Sequence, residues 1–323
     1  MLTFVSPLQA QEEIEDSSKI LSEFRSQIDL YRTIVHEPPF QTTSSDAAIL
    51  KYETGLSLFQ NGDGYTAIQT FKDLLGSQKS PDFLKKEIHA TLGYIFLEQK
   101  RPQEGLKEFS AIEDEIDFKE KARFGIAWSF MEMEEYVKAI ALFEEVAAEF
   151  PTGEYAPESL FRIGFCYSKL LAFKSAAESY QKALHVYNQR IQDQNNFIKT
   201  LRDSLPFNSD FIFNSPDPRW AGFLIHLKGE ANGRQMMKGA LDFLKMEERL
   251  KQRDPDLNQH SLEVRQNLLQ IRNKINLLFQ NFVQEQLHEQ KKSLENLSVQ
   301  ASIAMAKNRV LEKSEPGRAG VFP

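Results

Sequence analysis

Cys166 is the single thiol in the chain, and a thiolate beside an imidazole would make a nucleophile. His185 is the nearest histidine in sequence, but no third residue is placed to orient its ring. Cys166 sits inside a helical run of apolar residues and reads as a packing residue. The six histidines, His36, His89, His185, His226, His260 and His288, are dispersed. No two lie three or four apart, so no helix offers a two-histidine metal face. Asn61-Gly62-Asp63-Gly64 begins like a calcium loop, yet Ala67 and Gln69 stand where later oxygen ligands should converge. The acid pairs Glu134-Glu135 and Glu247-Glu248 are adjacent rather than facing, as on a solvated helix surface. The chain has no phosphate-binding glycine loop, no nucleophile elbow and no H-E-x-x-H. These residues predict no enzyme, no catalytic residue, no cofactor and no metal.

What remains is a chain rich in helix-packing residues. Of 323 residues, 25 are Phe, against 15 Gly and 13 Pro, a balance that favours long helices over a loop-rich β fold. The formal net charge is −7 with no compensating basic stretch, which argues against a nucleic-acid partner, since such a partner needs cations to displace its counterions. One cysteine excludes an intramolecular disulfide. No segment reaches the roughly 20 apolar residues of a transmembrane span. Residues 1–10 resemble the end of a secretory signal: Leu2 to Leu8 is apolar apart from Ser6, and Ala10 precedes Gln11-Glu12-Glu13. The expectation is export, with a start upstream and a mature chain beginning near Gln11; the alternative is a cytoplasmic N-terminus. No Cys follows that point, so lipid anchoring is not expected.

Between residues 48 and 187 one pattern recurs four times. A small residue is followed three on by a large apolar one, nine further by a small one, and four later by an aromatic. The copies are Gly55, Leu58, Ala67, Phe71; Gly93, Phe96, Gly105, Phe109; Ala127, Phe130, Ala139, Phe143; and Gly164, Tyr167, Ala176, Tyr180. Small residues let two antiparallel helices approach, and large ones fill the space beside them. A single hairpin cannot bury its own apolar face, so neighbours stack. The pattern and its period resemble the tetratricopeptide repeat (TPR). That resemblance implies an all-α fold, a superhelix of helical hairpins with long helices flanking it on both sides. Asn61 to Gly64 and Lys100-Arg101-Pro102 supply turns. The segment from Phe150 to Glu158 is similar to the long repeat linkers of bacterial envelope TPR proteins, among them outer-membrane assembly lipoproteins and the periplasmic coordinator of the Tol–Pal system.

The flanks read as further helices. Residues 11–40 contain an amphipathic helix with Ile14, Leu21, Phe24, Ile28, Tyr31 and Val35 on one face, stopped by Pro38-Pro39. The repeat region, 48–205, ends in an extended last helix. Residues 206–218 form a linker. Residues 219–311 form long helices, one over 219–253 and one over 257–311, the second capped by Asp256. The later helix carries Val264, Leu268, Ile271, Ile275, Leu278, Phe282, Leu287, Leu294, Leu297 and Ala301 in a heptad-like stripe. This stripe serves either an intrachain bundle or an intermolecular coiled coil and homo-oligomer. Residues 312–323 read as a disordered tail.

The resemblance also implies a binding groove, lined by the first helix of each hairpin. Its positions are the residue after the leading small one, flanked by those three before and four after that small residue. Here they are Tyr52, Leu56 and Phe59; Ala90, Tyr94 and Leu97; Phe124, Trp128 and Met131; Phe161, Phe165 and Ser168. Such a row lacks the Lys and Asn of a carboxylate clamp. It is too apolar to stand open, so either flanking helices of the same chain or a partner helix must cover it. The expected function is a non-catalytic protein–protein interaction scaffold or adaptor of a bacterial envelope assembly, periplasmic in location. The alternatives are a structural protein that self-associates through 257–311, or a cytoplasmic TPR adaptor.

Overall fold

A computed structural model describes residues 7–37, 44–202, 205–214, 217–229, 231–254 and 260–314. Among them every regular element is an α-helix. In chain order these are α1 (Pro7–Ile34), α2 (Ser44–Gln60), α3 (Gly64–Gly76), α4 (Asp82–Glu98), α5 (Pro102–Ser110), α6 (Lys119–Glu132), α7 (Tyr136–Glu149), α8 (Ala156–Lys169), α9 (Phe173–Arg202), α10 (Ser209–Asn214), α11 (Pro218–Gly229), α12 (Ala231–Arg253) and α13 (Leu262–Ser314). The chain divides into two compact units, one of residues 42–192 with 292–323, the other of 1–41 with 193–291. Helices α9 and α13 contribute to both.

In the first unit α2–α3, α4–α5, α6–α7 and α8–α9 form four consecutive helical hairpins. Their phase is set by the small residues. A Cβ on Gly55 would meet the Phe71 ring at 2.7 Å, one on Gly93 the Phe109 ring at 2.6 Å, and one on Gly164 the Tyr180 ring at 2.7 Å. In the third hairpin Ala127 and Phe143, both fully buried, hold the equivalent places. Stacking between hairpins repeats the device: Gly125 of α6 lies on the Phe109 ring, where an added Cβ would come within 2.4 Å. Phe109 is thus held between a glycine of its own hairpin and a glycine of the next, and is fully buried.

The turn after each first helix is also in phase. Gly62, Lys100, Glu134 and Leu171 all have positive φ, each seven residues after its leading small residue. The amide that follows each donates back to a helical carbonyl: Asp63 to Leu58, Arg101 to Phe96, Glu135 to Phe130 and Ala172 to Tyr167, at 2.8–2.9 Å. This is the Schellman closure of a helix end. Asp63 then caps α3 by accepting from the Thr66 amide at 3.1 Å, so this residue serves a helix start rather than a cation. Residues 292–314 of α13 complete the unit. Ala301 is fully buried in the same core as Tyr180, Ala183 and Tyr187. Asn308 donates to the Phe173 carbonyl at 3.3 Å.

The second unit is a separate helical core. Leu21, Phe24, Ile28, Tyr31 and Val35 of the N-terminal segment are buried in it, and the Tyr31 ring meets Phe243 edge-on at 5.1 Å. Helix α1 already runs through Ala10 and Gln11, while Leu2 to Ser6 and the Ile14 side chain lie outside the described residues.

Several sequence expectations need correction. The 206–218 segment is more than a linker: it carries α10, whose Ile212 is fully buried and accepts from Trp220 Nε1 at 3.1 Å. The single helix expected over 219–253 is two, α11 and α12. Gly229 and Gly233 flank the break, and the Gly233 backbone lies so close to the Leu227 carbonyl oxygen that a Cβ would come within 2.2 Å of it. Helix α13 starts at Leu262 rather than 257; Ser261 Oγ accepts from the Val264 amide at 3.3 Å, and Asp256 lies outside the described residues. It continues to Ser314, so 312–314 are helical; the remaining tail, 315–323, lies outside the described residues. Its heptad-like stripe is buried or half-buried within the chain from Val264 to Ala301.

Candidate protein-binding face

The four first helices, α2, α4, α6 and α8, are cross-linked side to side by paired side chains. Tyr52 Oη of α2 pairs with Thr91 Oγ1 of α4 at 2.8 Å. Lys121 Nζ of α6 reaches Glu87 of α4 at 3.1 Å. The Tyr94 ring of α4 packs on Trp128 of α6 with centroids 5.9 Å apart. From α8, the Arg162 guanidinium lies 3.8 Å from the centre of the Trp128 ring, a cation–π stack in a buried setting. Arg162 Nε also donates to Glu158 Oε1 at 2.9 Å, and Trp128 Nε1 donates to Glu132 Oε1 at 3.2 Å. Beneath them Phe124 packs against Phe143 at 5.6 Å and Tyr155 at 4.9 Å.

The row expected from the repeat register is therefore present, but it is not an open patch. Tyr52, Leu97, Phe124, Trp128, Met131 and Phe161 are buried. Leu56, Phe59, Tyr94 and Phe165 are half-buried. Ala90 is buried and Ser168 is half-buried, with its hydroxyl turned back to the Gly164 carbonyl at 2.9 Å. Over Trp128 the cover is Arg162 of the next hairpin, and residues of α13, Ala301 among them, share the core cluster of Leu97, Phe124, Trp128, Met131 and Phe161. The N-terminal helix belongs to the other compact unit.

The residues missed from the sequence are the charged ones. Glu87, Lys121 and Glu158 each stand six residues before the leading small residue of their hairpin, so extending the register by one helical turn would have found them. They border the apolar row and set alternating charge along its edge.

The segment from Phe150 to Tyr155 is held by two half-buried ionisable side chains. Glu120 accepts from the Tyr155 amide at 2.8 Å, and Arg190 Nη1 donates to the Gly153 carbonyl at 2.8 Å. Burial raises the Glu120 carboxyl above the ordinary range and lowers Arg190 below its own. The linker is thus a fixed part of the stack.

Burial also pushes the Cys166 thiol up to about 12, away from the thiolate form that a nucleophile needs. Burial raises the Tyr94 and Tyr155 phenols well above their usual value. Among the described residues no group of three His, Cys, Asp or Glu is placed to hold a metal ion, and no helix is long and apolar enough to cross a membrane.

The family described as "Tetratricopeptide repeat" matches residues 121–153, the third hairpin with its linker. No curated protein matches the chain. Among solved structures, the chain is similar to the apo form of RapI at 16% identity, with 81% of this chain and 99% of that one covered and a TM-score of 0.40. It is also similar to a Rap protein complexed with competence and sporulation factor, at 15% identity, 92% of each chain and a TM-score of 0.39. The repeat pattern is thus matched by sequence in one hairpin and carried by geometry in all four.

Proposed function

We propose that this chain is a non-catalytic interaction scaffold or adaptor that binds a protein partner along the row of first helices. The observation that carries the reading is the common phase of the four hairpins. It sets the half-buried Leu56, Tyr94 and Phe165 at the same position of the first, second and fourth hairpins, with half-buried Phe59 one turn beyond Leu56 and with Glu87, Lys121 and Glu158 along the border of the row. The fully buried residues of the row support the surface, and the half-buried ones meet the partner. A peptide or helix with spaced apolar side chains fits such a row. The location we propose is the bacterial envelope, on the signal-like residues 1–10 and the linker from Phe150 to Glu158.

A photo-crosslinking residue placed at Phe59, Tyr94 or Phe165 tests the reading in the native cell, with exposed Tyr65 and Ile116 as controls. Adducts from the row and none from the controls support it. Adducts from the controls alone would sink it. Fractionation of the same cells tests the envelope location: adducts confined to the cytoplasm would keep the adaptor and discard the compartment.

A further inference from the structure

The outward side of α13 carries a second helix-packing seam. Val299, Ile303 and Val310 are 58%, 50% and 67% exposed, and Ala306 between them is exposed as well. Their spacing of four, three and four is that of a two-heptad seam, with β-branched Ile303 and Val310 at one repeat position. The opposite side of the same helix already packs on the fourth hairpin through Ala301 and Asn308. In each hairpin of this unit the first helix is covered by a second. Residues 292–314 follow α9 in the stack as a further first helix would, and no described residue covers their outer seam.

Charge selects the occupant. From Val299 to Val310 the helix carries Lys307 and Arg309 and no acid, in a chain of net charge −7. An antiparallel second copy that matched the apolar residues would set Lys307 and Arg309 opposite Ser302 and Gln300, which offer no carboxylate. A helix with acidic residues beside its apolar stripe would pair both cations at the seam's edge. We propose that this face docks an amphipathic, acid-flanked helix of a partner protein, extending the hairpin stack by one helix. The surface is separate from the row of first helices, and the two readings stand or fall independently.

The test uses the full chain and two fluorescent synthetic peptides, three heptads long, with Leu and Val at the seam and either Glu or Lys at the flanks. Anisotropy should show the Glu peptide binding, and the Lys peptide binding at least about tenfold more weakly, with added salt narrowing the gap. Ile303→Glu and, separately, Val299→Gln should abolish binding while leaving the melting temperature unchanged, since both sites are exposed. Reversing both cations, Lys307→Glu with Arg309→Glu, should transfer the preference to the Lys peptide. Equal binding of the two peptides, binding of neither, or binding indifferent to Ile303→Glu overturns the proposal. So does a dimer in sedimentation that Ile303→Glu disperses, because the occupant would then be a second copy.

Discussion

Trp128→Ala separates a supporting role from a contact role in the row of first helices. The indole is 6% exposed, and it is covered by Arg162 at 3.8 Å, Tyr94 at 5.9 Å and Phe124 at 6.0 Å. Truncating a buried Trp to Ala costs about 3–5 kcal/mol in lost transfer energy and residual cavity. Some of that, about 1–2 kcal/mol, belongs to the desolvated stack with Arg162. Arg162 keeps its Glu158 partner, so no buried charge is stranded and the lower half of the range is expected. Trp128→Phe keeps a ring under the guanidinium and should lose about half as much. Urea unfolding followed by far-UV circular dichroism measures the loss. Trp220, the other tryptophan, lies in the second unit and reports on that unit by fluorescence in the same samples. A double-mutant cycle with Arg162→Ala should return a coupling of about 1 kcal/mol or more. A loss below about 1 kcal/mol for Trp128→Ala would refute the reasoning. The ring would then be a surface group, and its packing against Arg162 would carry no stability.

Four further outcomes follow from the repeat geometry and its buried groups. Gly125→Ala should destabilise by about 1–3 kcal/mol through the Phe109 ring, despite the gain of about 1 kcal/mol in helix propensity, and Phe109→Leu should recover part of the loss. An unchanged melting temperature would show that the ring moves aside freely. Glu134→Gly should raise stability by about 0.5–1 kcal/mol, because an exposed residue at φ 64° carries the left-handed penalty that glycine escapes. Stability should fall as pH rises above about 9. The unfolded Cys166 and Tyr180 release protons near about 8.5 and 10, while the folded ones hold theirs to about 12, so the contribution is complete below the unfolded values and disappears toward the folded ones. Native Cys166 should accordingly resist a thiol reagent at pH 8 until urea opens the hairpins, and rapid labelling without urea would contradict its burial.

The hairpin register was readable because its cause is local. A ring sixteen residues after a small residue meets it wherever two helices pair, which is why Gly55, Gly93, Ala127 and Gly164 could be chosen before any coordinates. The turns at Gly62 and, through Pro102, at Lys100 were equally plain, but Glu134 and Leu171 adopt the same backbone with side chains that announce nothing. Only their common distance from the small residue marks them. The division of α11 from α12 was hidden by apolar residues that keep helical spacing from Trp220 to Leu250, although Gly229 and Gly233 stood at the break. The grouping of residues 1–41 with 193–291 was not readable at all, since amphipathic stripes record that a face is buried and not by what.

The row of first helices shows the same limit at the site. Its members could be named from the register, but their exposure is decided by neighbours thirty or more residues away, as Arg162 decides it for Trp128. Once the largest rings become core, they can contribute little new burial to a partner, and the half-buried Leu56, Phe59, Tyr94 and Phe165 are left to supply it. If the row docks a partner as proposed, four partly covered side chains give a modest apolar contribution, and orientation and choice of partner would fall to the charges bordering them. Glu87 and Lys121 already satisfy one another at 3.1 Å. A partner that engages either must break or share that pair, which penalises any ligand whose charges do not match. On the proposed reading, selectivity would come from polar pairs that the apolar register alone does not reveal.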